Sequence, residues 1–526
     1  MDVCVVRRRL LMLGALLVVL SANSDSLDLR QNLSECLEDS DYDQLLHTLD
    51  EGLPRIRTSN HVIIVGAGMA GLTAAKLLQD AGHKVTMVES SERVGGRVKT
   101  YRHEKDGWYA DLGAMRIPSF HHILHWFIKK LGVELNPFIM DDPNTFYFIH
   151  GILRRTYAVK SNPDILHYQL REDEKGRSAD QLLQRALLKM RQEVEAHGCK
   201  AAFQKYNHYS LKDYLRREGG VSEEGVQMIG DLLGEESLMH MALIEILYMS
   251  IDLNDNIQYD EVKGGSDLLA KAFLNVLNVP IFFNSKVTEV HRSGSGVTVR
   301  YDTRHGSSGQ SNSVSGDAVL VTTTAKAALF MTFDPPLSVR KMEALRGVHY
   351  ASSTKVILTF RERFWDRDGI QGGKSITDGP TRFIYYPSHG FPGNDTIGVL
   401  LASYTWADDS LLFLGASDEE LMDMALRDLA NIHGEHVWEL CTGVVVKKWS
   451  LDPHSLGAFA FFTPYQYLEY SKELFRSEGR VHFAGEHTAT PHGWIETAMK
   501  SAIRAAAKIN KRAIKESLKD GAQDEL

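Results

Sequence analysis

Three short stretches hold residue types at spacings suited to gripping a dinucleotide. In Gly66-Ala67-Gly68-Met69-Ala70-Gly71 the first glycine allows a tight turn. The second lets the backbone approach a pyrophosphate, and the third lets a helix pack closely on a strand. Glu89, followed by Ser90, stands 18 residues past Gly71, where a carboxylate can accept hydrogen bonds from a ribose diol. In Arg93-Val94-Gly95-Gly96-Arg97, twin glycines between two cations suit a loop beside the pyrophosphate; a surface turn with solvated arginines is the alternative. Near the C-terminus, Arg480-Val-His-Phe-Ala-Gly485-Glu486 precedes Gly493-Trp494-Ile495-Glu496-Thr497-Ala498.

These residues need particular elements to position them. His61-Val-Ile-Ile-Val65 reads as a buried strand, residues 72–81 as a helix, and Lys84-Val-Thr-Met-Val88 as a second strand. Strand, helix, strand and acid together are far more specific than the glycines alone. The stretch ending in Gly485-Glu486 reads as another strand, and a helix follows from about Gly493. The positive end of that helix suits an isoalloxazine ring that becomes anionic on reduction. Glu486 suits the ribityl or diphosphate region. No second dinucleotide fingerprint is present, so such a flavin would be reduced by substrate and reoxidised by dioxygen. Lys355 lies within Ser353-Thr-Lys355-Val-Ile-Leu-Thr-Phe360, where burial is costly without a partner; an edge strand with the lysine in solvent is the alternative. His433 and His436 read as a solvated helix face. No G-x-S-x-G, C-x-x-C or H-E-x-x-H occurs, and no metal site is expected.

The chain has 526 residues, 43% hydrophobic, 9% aromatic and 24% charged. That is ordinary globular composition, enough for about three domains at about 150 residues each. Acidic residues outnumber basic ones, 68 to 59, so the net charge is −9 and nothing points to nucleic acid. Arg7, Arg8 and Arg9 precede an apolar run, residues 10–20, broken only by Gly14. This is a secretory-leader layout, with cleavage expected near Ser24 and a mature charge near −11. No later apolar run is long enough for a membrane anchor, which needs about 18 residues. Without Cys4, the remaining Cys36, Cys199 and Cys441 allow one disulfide and one odd thiol. Asn32 and Asn394 begin glycosylation sequons. The chain ends Gln523-Asp524-Glu525-Leu526, a variant of a luminal retention signal or a chance acidic tail.

The segment from Val62 to Glu89, the arginine-flanked loop and the Gly485-Glu486 strand end resemble the flavin amine oxidase superfamily. Gly113-Ala114-Met115-Arg116-Ile117-Pro118, Thr463-Pro-Tyr-Gln466 and His492-Gly493-Trp494-Ile495 look more closely like L-amino-acid oxidases of the snake-venom, fish and vertebrate interleukin-induced type. The likeness spans about residues 36–507. It implies non-covalent FAD, since no cysteine follows Cys441. Gly66, Gly68, Met69, Ala70, Gly71, Glu89, Ser90 and Arg97 would hold it. So would Gly113, Ala114, Met115, Arg116, Val287 (on the adenine side), Glu486, Gly493, Trp494, Ile495, Glu496, Thr497 and Ala498. Arg116 would clamp a substrate carboxylate, with Tyr404 as a second contact. Gly493, Trp494, Trp406, Phe459 and Met249 would line the substrate pocket, and Lys355 would hold a water at flavin N5. Cys36 and Cys199 match the family's first disulfide. In the second, Phe360 stands where the partner of Cys441 would be, so Cys441 should be a buried free thiol. Met249 and Ala351 replace a family histidine and arginine, which puts substrate preference in doubt.

The expected activity is oxidative deamination of L-amino acids by dioxygen, releasing 2-oxo acid, ammonia and antibacterial peroxide outside the cell or in the endoplasmic-reticulum lumen. A homodimer is compatible with the resemblance. A polyamine or monoamine oxidase and a non-catalytic secreted binding protein are the alternatives. The expected fold is mixed α/β: a Rossmann-like FAD-binding fold in discontinuous segments (61–98, 264–350, 475–515). A strand-rich substrate domain (31–55, 99–155, 351–474) and a helical insertion (156–258) accompany it. Residues 293–316 read as a hairpin.

Overall fold

The computed structural model describes residues 33, 35–57, 60–305 and 308–523. The expected leader (residues 1–24), Asn32 and residues 524–526 lie outside them. The chain is mixed α/β, and its nucleotide-side sheet has five parallel strands. Their order is Ile281–Phe282, Lys84–Val88, His61–Val65, Ala318–Val321, Val481–Phe483. A parallel sheet is covered on both faces, so its strands are apolar throughout rather than alternating. Period-two geometry then sends neighbours to opposite cores. Val62 and Ile64 meet Leu72 and Ala75 of the helix Met69–Asp80, together with Ala502 and Ile503 of the helix Ile495–Gln523. Ile63 and Val65 meet Val290, Val299 and Phe333 beneath the other face. Full burial of one such aliphatic side chain contributes about 1.5–3 kcal/mol. The second face is roofed by antiparallel strands Ser285–Arg292, Val297–His305 and Ser308–Gly316, the last two forming the expected hairpin.

A seven-stranded sheet faces the first across a large cavity. Its order is Cys441–Lys448, Ser353–Phe360, Gly398–Trp406, Phe383–Tyr385, Lys374–Thr377, Phe146–Ile149, Ile152–Arg155. Ser353–Phe360 is an interior strand, buried at every position, so Lys355 has no route to solvent along an edge. A small sheet of Ile117–Pro118, Tyr259–Val262 and Leu135–Phe138 anchors the segment carrying Arg116.

Residues 156–252 form successive helices, among them Ala179–Ala186, Glu223–Leu233 and Leu243–Asp252. Serines start several of them: the side chains of Ser178, Ser210 and Ser222 accept the N–H groups of Gln181, Asp213 and Gly225. Such caps satisfy donors that no helical carbonyl reaches. Cys36 and Cys199 are joined, tying the N-terminal segment to the helix Cys199–Tyr206. No described helix is long and apolar enough to cross a membrane.

Three details differ from the sequence reading. His433 is not on a solvated face: its side chain is 1% exposed, between Tyr386 at 2.7 Å and Asp368 at 2.8 Å. A histidine can enter a core when both ring nitrogens find partners. Cys441 is free as expected, but half-buried rather than buried. It pairs in register with Phe360, whose ring fills the neighbouring core. Residues 31–55, grouped above with the strand-rich segments, include the helix Tyr42–Glu51, whose Leu45 and Leu49 pack in the core of the parallel sheet. Asn394 is half-buried and its side-chain amide donates to the carbonyl of Asp106 at 3.1 Å.

The disulfide bridges a separation of 163 residues. Cys199→Ser should therefore cost about 2–4 kcal/mol, by releasing the denatured chain. Cys441→Ser should leave the thermal midpoint close to wild type. Differential scanning calorimetry of both variants checks this, and equal destabilisation would contradict it.

Candidate active site

A cavity of about 880 Å³ runs between the parallel sheet and the seven-stranded sheet. Its walls include Gly66, Gly68, Glu89, Arg97, Val287, Glu486, Trp494 and Arg116, drawn from segments far apart in sequence.

At one end the strand His61–Val65 turns at Gly66, where φ is +106°. That left-handed backbone is costly for any side chain with a Cβ. Gly68 caps the helix Met69–Asp80 without a side-chain partner, leaving the first N–H groups for a ligand. A Cβ at Gly68 would meet nothing within 4 Å, so this is an open cradle rather than a packing contact. At Gly71 a Cβ would stand 2.1 Å from the Gly66 carbonyl oxygen, so the helix can lie this close only on glycine. The Glu89 carboxylate lines the cavity while accepting from Ala67 N–H at 2.7 Å and from Ser91 N–H and Oγ at 2.8 Å each.

In the middle, the arginine-flanked loop packs on the glycine turn, with a bridge between Gly68 and Gly95. Both arginines line the cavity and also hold the protein itself. Arg93 donates to the carbonyls of Val94, Val98 and Gly96, holding its own loop. Arg97 donates to Glu486 at 2.6 Å and to the Ala458 carbonyl at 2.9 Å. Glu486 also accepts from the N–H groups of Ala460 and Gly493, both at 3.1 Å. Burial works against its charge, but Arg97, His492 and His487 more than offset that and hold its pKa below the usual carboxylate range.

The helix Ile495–Gln523 begins just beyond Gly493, whose φ is +80°. Trp494, Ile495 and Ala498 line the cavity. Glu496 and Thr497 do not. The Glu496 carboxylate accepts from Ile123 N–H at 3.2 Å and Leu124 N–H at 2.7 Å, capping the helix His122–Leu131. Thr497 Oγ1 donates to the Pro491 carbonyl. The first helical turn thus presents alternate sides to the cavity and to the protein.

At the far end stands Arg116, 9% exposed. Its Nη1 donates to Tyr385 Oη at 3.1 Å and approaches Met140 Sδ at 3.8 Å. Among the described residues no carboxylate forms an ion pair with it. Tyr404 and Trp406, one strand over from Lys355, line the same space with Phe459, Met249 and Gly493. The Trp406 indole N–H is buried without a partner among the described residues. Lys355 Nζ donates to the carbonyls of Asp111 at 2.9 Å and Gly113 at 2.8 Å and lies 4.8 Å from the Tyr404 ring centre. Burial, reinforced by Arg116 and opposed by Asp111, brings its pKa down to about 7. Gly113 has no room for a side chain: a Cβ would stand 1.8 Å from the Arg97 carbonyl oxygen.

Three residues in or beside the cavity have roles that the sequence did not assign them, although His492 stands in the His492–Ile495 motif. His121 lines the wall, held by Asp252 at 3.1 Å and set edge-on to Trp494 at 5.1 Å. Its position five residues after Arg116 is the cue that was available. Tyr385, the partner of Arg116, lies in a three-residue strand too short to show alternation. His492 pairs with the buried Glu245 at 2.8 Å. Burial opposes its protonation, but Glu245 outweighs this and raises its pKa.

The features agree with an FAD-sized ligand: an open glycine cradle, an uncapped helix N-terminus, an acid at the end of the second strand, and a second helix N-terminus at the opposite end. The family model for flavin containing amine oxidoreductases matches residues 69–510. An L-amino-acid oxidase of Siganus canaliculatus is 67% identical over 92% of this chain and 92% of its own length. One of Demansia vestigiata is 42% identical over 96% and 97%. Among solved structures, a putrescine oxidase bound to putrescine superposes with a TM-score of 0.70 at 20% identity, covering 87% of this chain and 99% of its own. A cyclohexylamine oxidase from Brevibacterium oxydans gives 0.68 at 20% identity and the same coverage. At that identity the likeness is one of fold.

Two outcomes follow from the packing. Gly71→Ala forces its Cβ into the Gly66 carbonyl, so the purified protein should carry little flavin; visible absorbance per chain reads this, and full occupancy would refute the packing argument. Lys355, with a folded pKa near 7 against an ordinary 10.5, binds its proton more tightly in the unfolded chain. Its burial therefore penalises the fold fully below pH 7, and the penalty fades as pH rises towards 10.5. Lys355→Met should raise the thermal midpoint over wild type most at pH 6 and progressively less at higher pH. The reverse trend would contradict this.

Proposed function

The chain belongs to the flavin-containing amine oxidoreductase family and is an FAD-dependent oxidase, and from that premise we propose that its substrate is an L-amino acid. The net reaction takes amino acid, dioxygen and water to 2-oxo acid, ammonia and hydrogen peroxide. One observation carries the reading: a buried guanidinium, open towards the flavin cavity, with no acidic partner among the described residues. Arginine keeps its charge at any relevant pH, so such a group is completed by a ligand anion, and its planar fork matches a carboxylate. A simple amine offers it nothing. The acids that line the cavity, Glu89, Glu92, Asp452 and Glu486, belong to the nucleotide-binding segments or pair with Arg97 or Lys447.

FAD, when bound, supplies a two-electron acceptor for the α-carbon hydrogen and passes the electrons to dioxygen. The protein's part is orientation and electrostatics. Arg116 forks onto the carboxylate, its own direction fixed by Tyr385. The Tyr404 hydroxyl gives the carboxylate a second contact, and burial raises its pKa, so it stays a neutral donor. Gly493 lines the cavity with its N–H committed to Glu486, and its carbonyl accepts from the substrate amine in this reading. Trp494, Phe459, Trp406 and Met249 enclose the side chain and exclude water. Lys355 donates to the carbonyls of Asp111 and Gly113 and to the Met115 sulfur, and turns the weak sulfur contact over to a water beside the flavin. With its pKa near 7, it can give up and regain a proton at neutral pH.

The disulfide and the N-terminal pattern favour a secreted or luminal setting. The reading is tested by peroxide release from the holoenzyme across L-amino acids, D-isomers and simple amines: turnover confined to L-amino acids supports it, and none with any of them defeats it. Arg116→Ala should keep its flavin yet lose about two to three orders of magnitude in kcat/KM, the effect of stripping one partner from a buried charged pair. Lys355→Met should slow reoxidation of the reduced enzyme by dioxygen in stopped-flow, with reduction by substrate much less affected.

A further inference from the structure

One wall of the flavin cavity is assembled from three segments that meet at a single histidine. His121 closes the turn after Ile117–Pro118. Its N–H donates to the Pro118 carbonyl at 3.1 Å, and its carbonyl accepts from the His125 N–H at 3.0 Å, at the start of the helix His122–Leu131. The side chain crosses to Asp252, with Nε2 3.1 Å from Oδ2 and the two side chains 4% and 7% exposed. Asp252 ends the helix Leu243–Asp252; Met249 in its last turn and Leu253 just past it line the cavity. The His121 ring also stands at 87° to the Trp494 indole, with 5.1 Å between ring centres. Trp494 lines the same cavity directly before the C-terminal helix.

An imidazole is a costly filler here. Its Nδ1 is buried without a partner among the described residues, a loss that an apolar side chain of similar size would avoid. What the imidazole adds is direction. Asp252 is the one hydrogen-bond partner of this side chain among the described residues, so the orientation of the ring follows the helix end that carries Met249. That end is itself tied back. The Tyr259 hydroxyl donates to the Asp252 carbonyl at 3.0 Å, and Tyr259 pairs in register with Pro118. Pro118, His121, Asp252 and Tyr259 thus form a closed brace with the Trp494 indole packed against it. We infer that His121 is a positioning residue that sets the width of the pocket for the substrate side chain. Asp252 orients its ring, and the ring holds the Trp494 indole in place relative to Met249 and Leu253. His121 acts through Trp494 and not on the reacting atoms, and the inference rests on the amino-acid reading of this cavity. A large side chain depends on these walls, whereas a methyl group does not. Side chains that lock the rotamers of a binding wall commonly matter as much as the wall itself.

The test is steady-state kinetics of the holoenzyme on L-phenylalanine and L-alanine. The wild type should favour L-phenylalanine. His121→Ala should lose about tenfold in kcat/KM for L-phenylalanine, mostly through KM, with L-alanine changed by less than about twofold, the scale on which apolar walls discriminate. Flavin absorbance per chain should stay at the wild-type value. Asp252→Ala, which leaves the ring in place and removes only its brace, should follow His121→Ala and serves if that variant does not fold. Asp252→Asn keeps an acceptor for the imidazole N–H and should recover most of the loss. Equal losses on both substrates overturn the inference, as does an Asp252→Asn enzyme no better than Asp252→Ala. A changed pH profile for L-alanine would also overturn it, because it would place His121 in proton transfer. Peroxide release by the wild type separates the two readings. None with any L-amino acid sinks the substrate reading and this inference with it, whereas normal release with uniform losses in the variants sinks the positioning role alone.

Discussion

A permanently charged arginine has been taken out of water with no acid to pair with among the described residues. Burying an ion in this way costs several kcal/mol unless other groups replace its hydration. Around Arg116 the replacement is partial: one tyrosine hydroxyl and a thioether, with two further tyrosines nearby. Lys355, the other buried cation of this region, relieves the strain by a lowered pKa, because an ammonium can shed its proton. A guanidinium cannot. The site consequently keeps a fixed positive charge facing the cavity, and the surrounding fold can be understood as what makes that arrangement tolerable.

It is held together by contacts between segments distant in sequence. Arg97 and Glu486 join the loop beside the glycine turn to the start of the C-terminal helix, with Ala460 and Gly493 completing the carboxylate's bonds. Glu496 braces the helix that follows Arg116. His492 and Glu245 tie the helical layer to the same turn. Each contact involves a buried carboxylate, so each is strong only while its partners are present. Cofactor end and substrate end are thereby fixed relative to one another.

The parts of this that were legible in the sequence are local. The glycine spacing, the apolar strands and the acid after the second strand lie within thirty or so residues, where period and backbone strain act directly. The strand Ser353–Phe360 was legible as apolar, and Lys355 within it as an anomaly. What escaped depends on direction and on distant partners. Glu496 and Thr497 sit in a helix start that points at the cavity, yet their side chains turn back into the protein. His433 looks like a surface histidine until Tyr386 and Asp368, remote in the chain, are placed around it. His121, Tyr385 and Glu245 act through pairs that no spacing encodes.

The central claim is that Arg116 selects for a carboxylate. The most direct measurement is anaerobic mixing of the holoenzyme with L-leucine and with 3-methylbutylamine, which differs from it only by lacking the carboxylate, while the flavin's visible absorbance is followed. The account predicts rapid bleaching by L-leucine and reduction by the amine slower by about two to three orders of magnitude. An amine that reduces the enzyme as fast as the amino acid would contradict it.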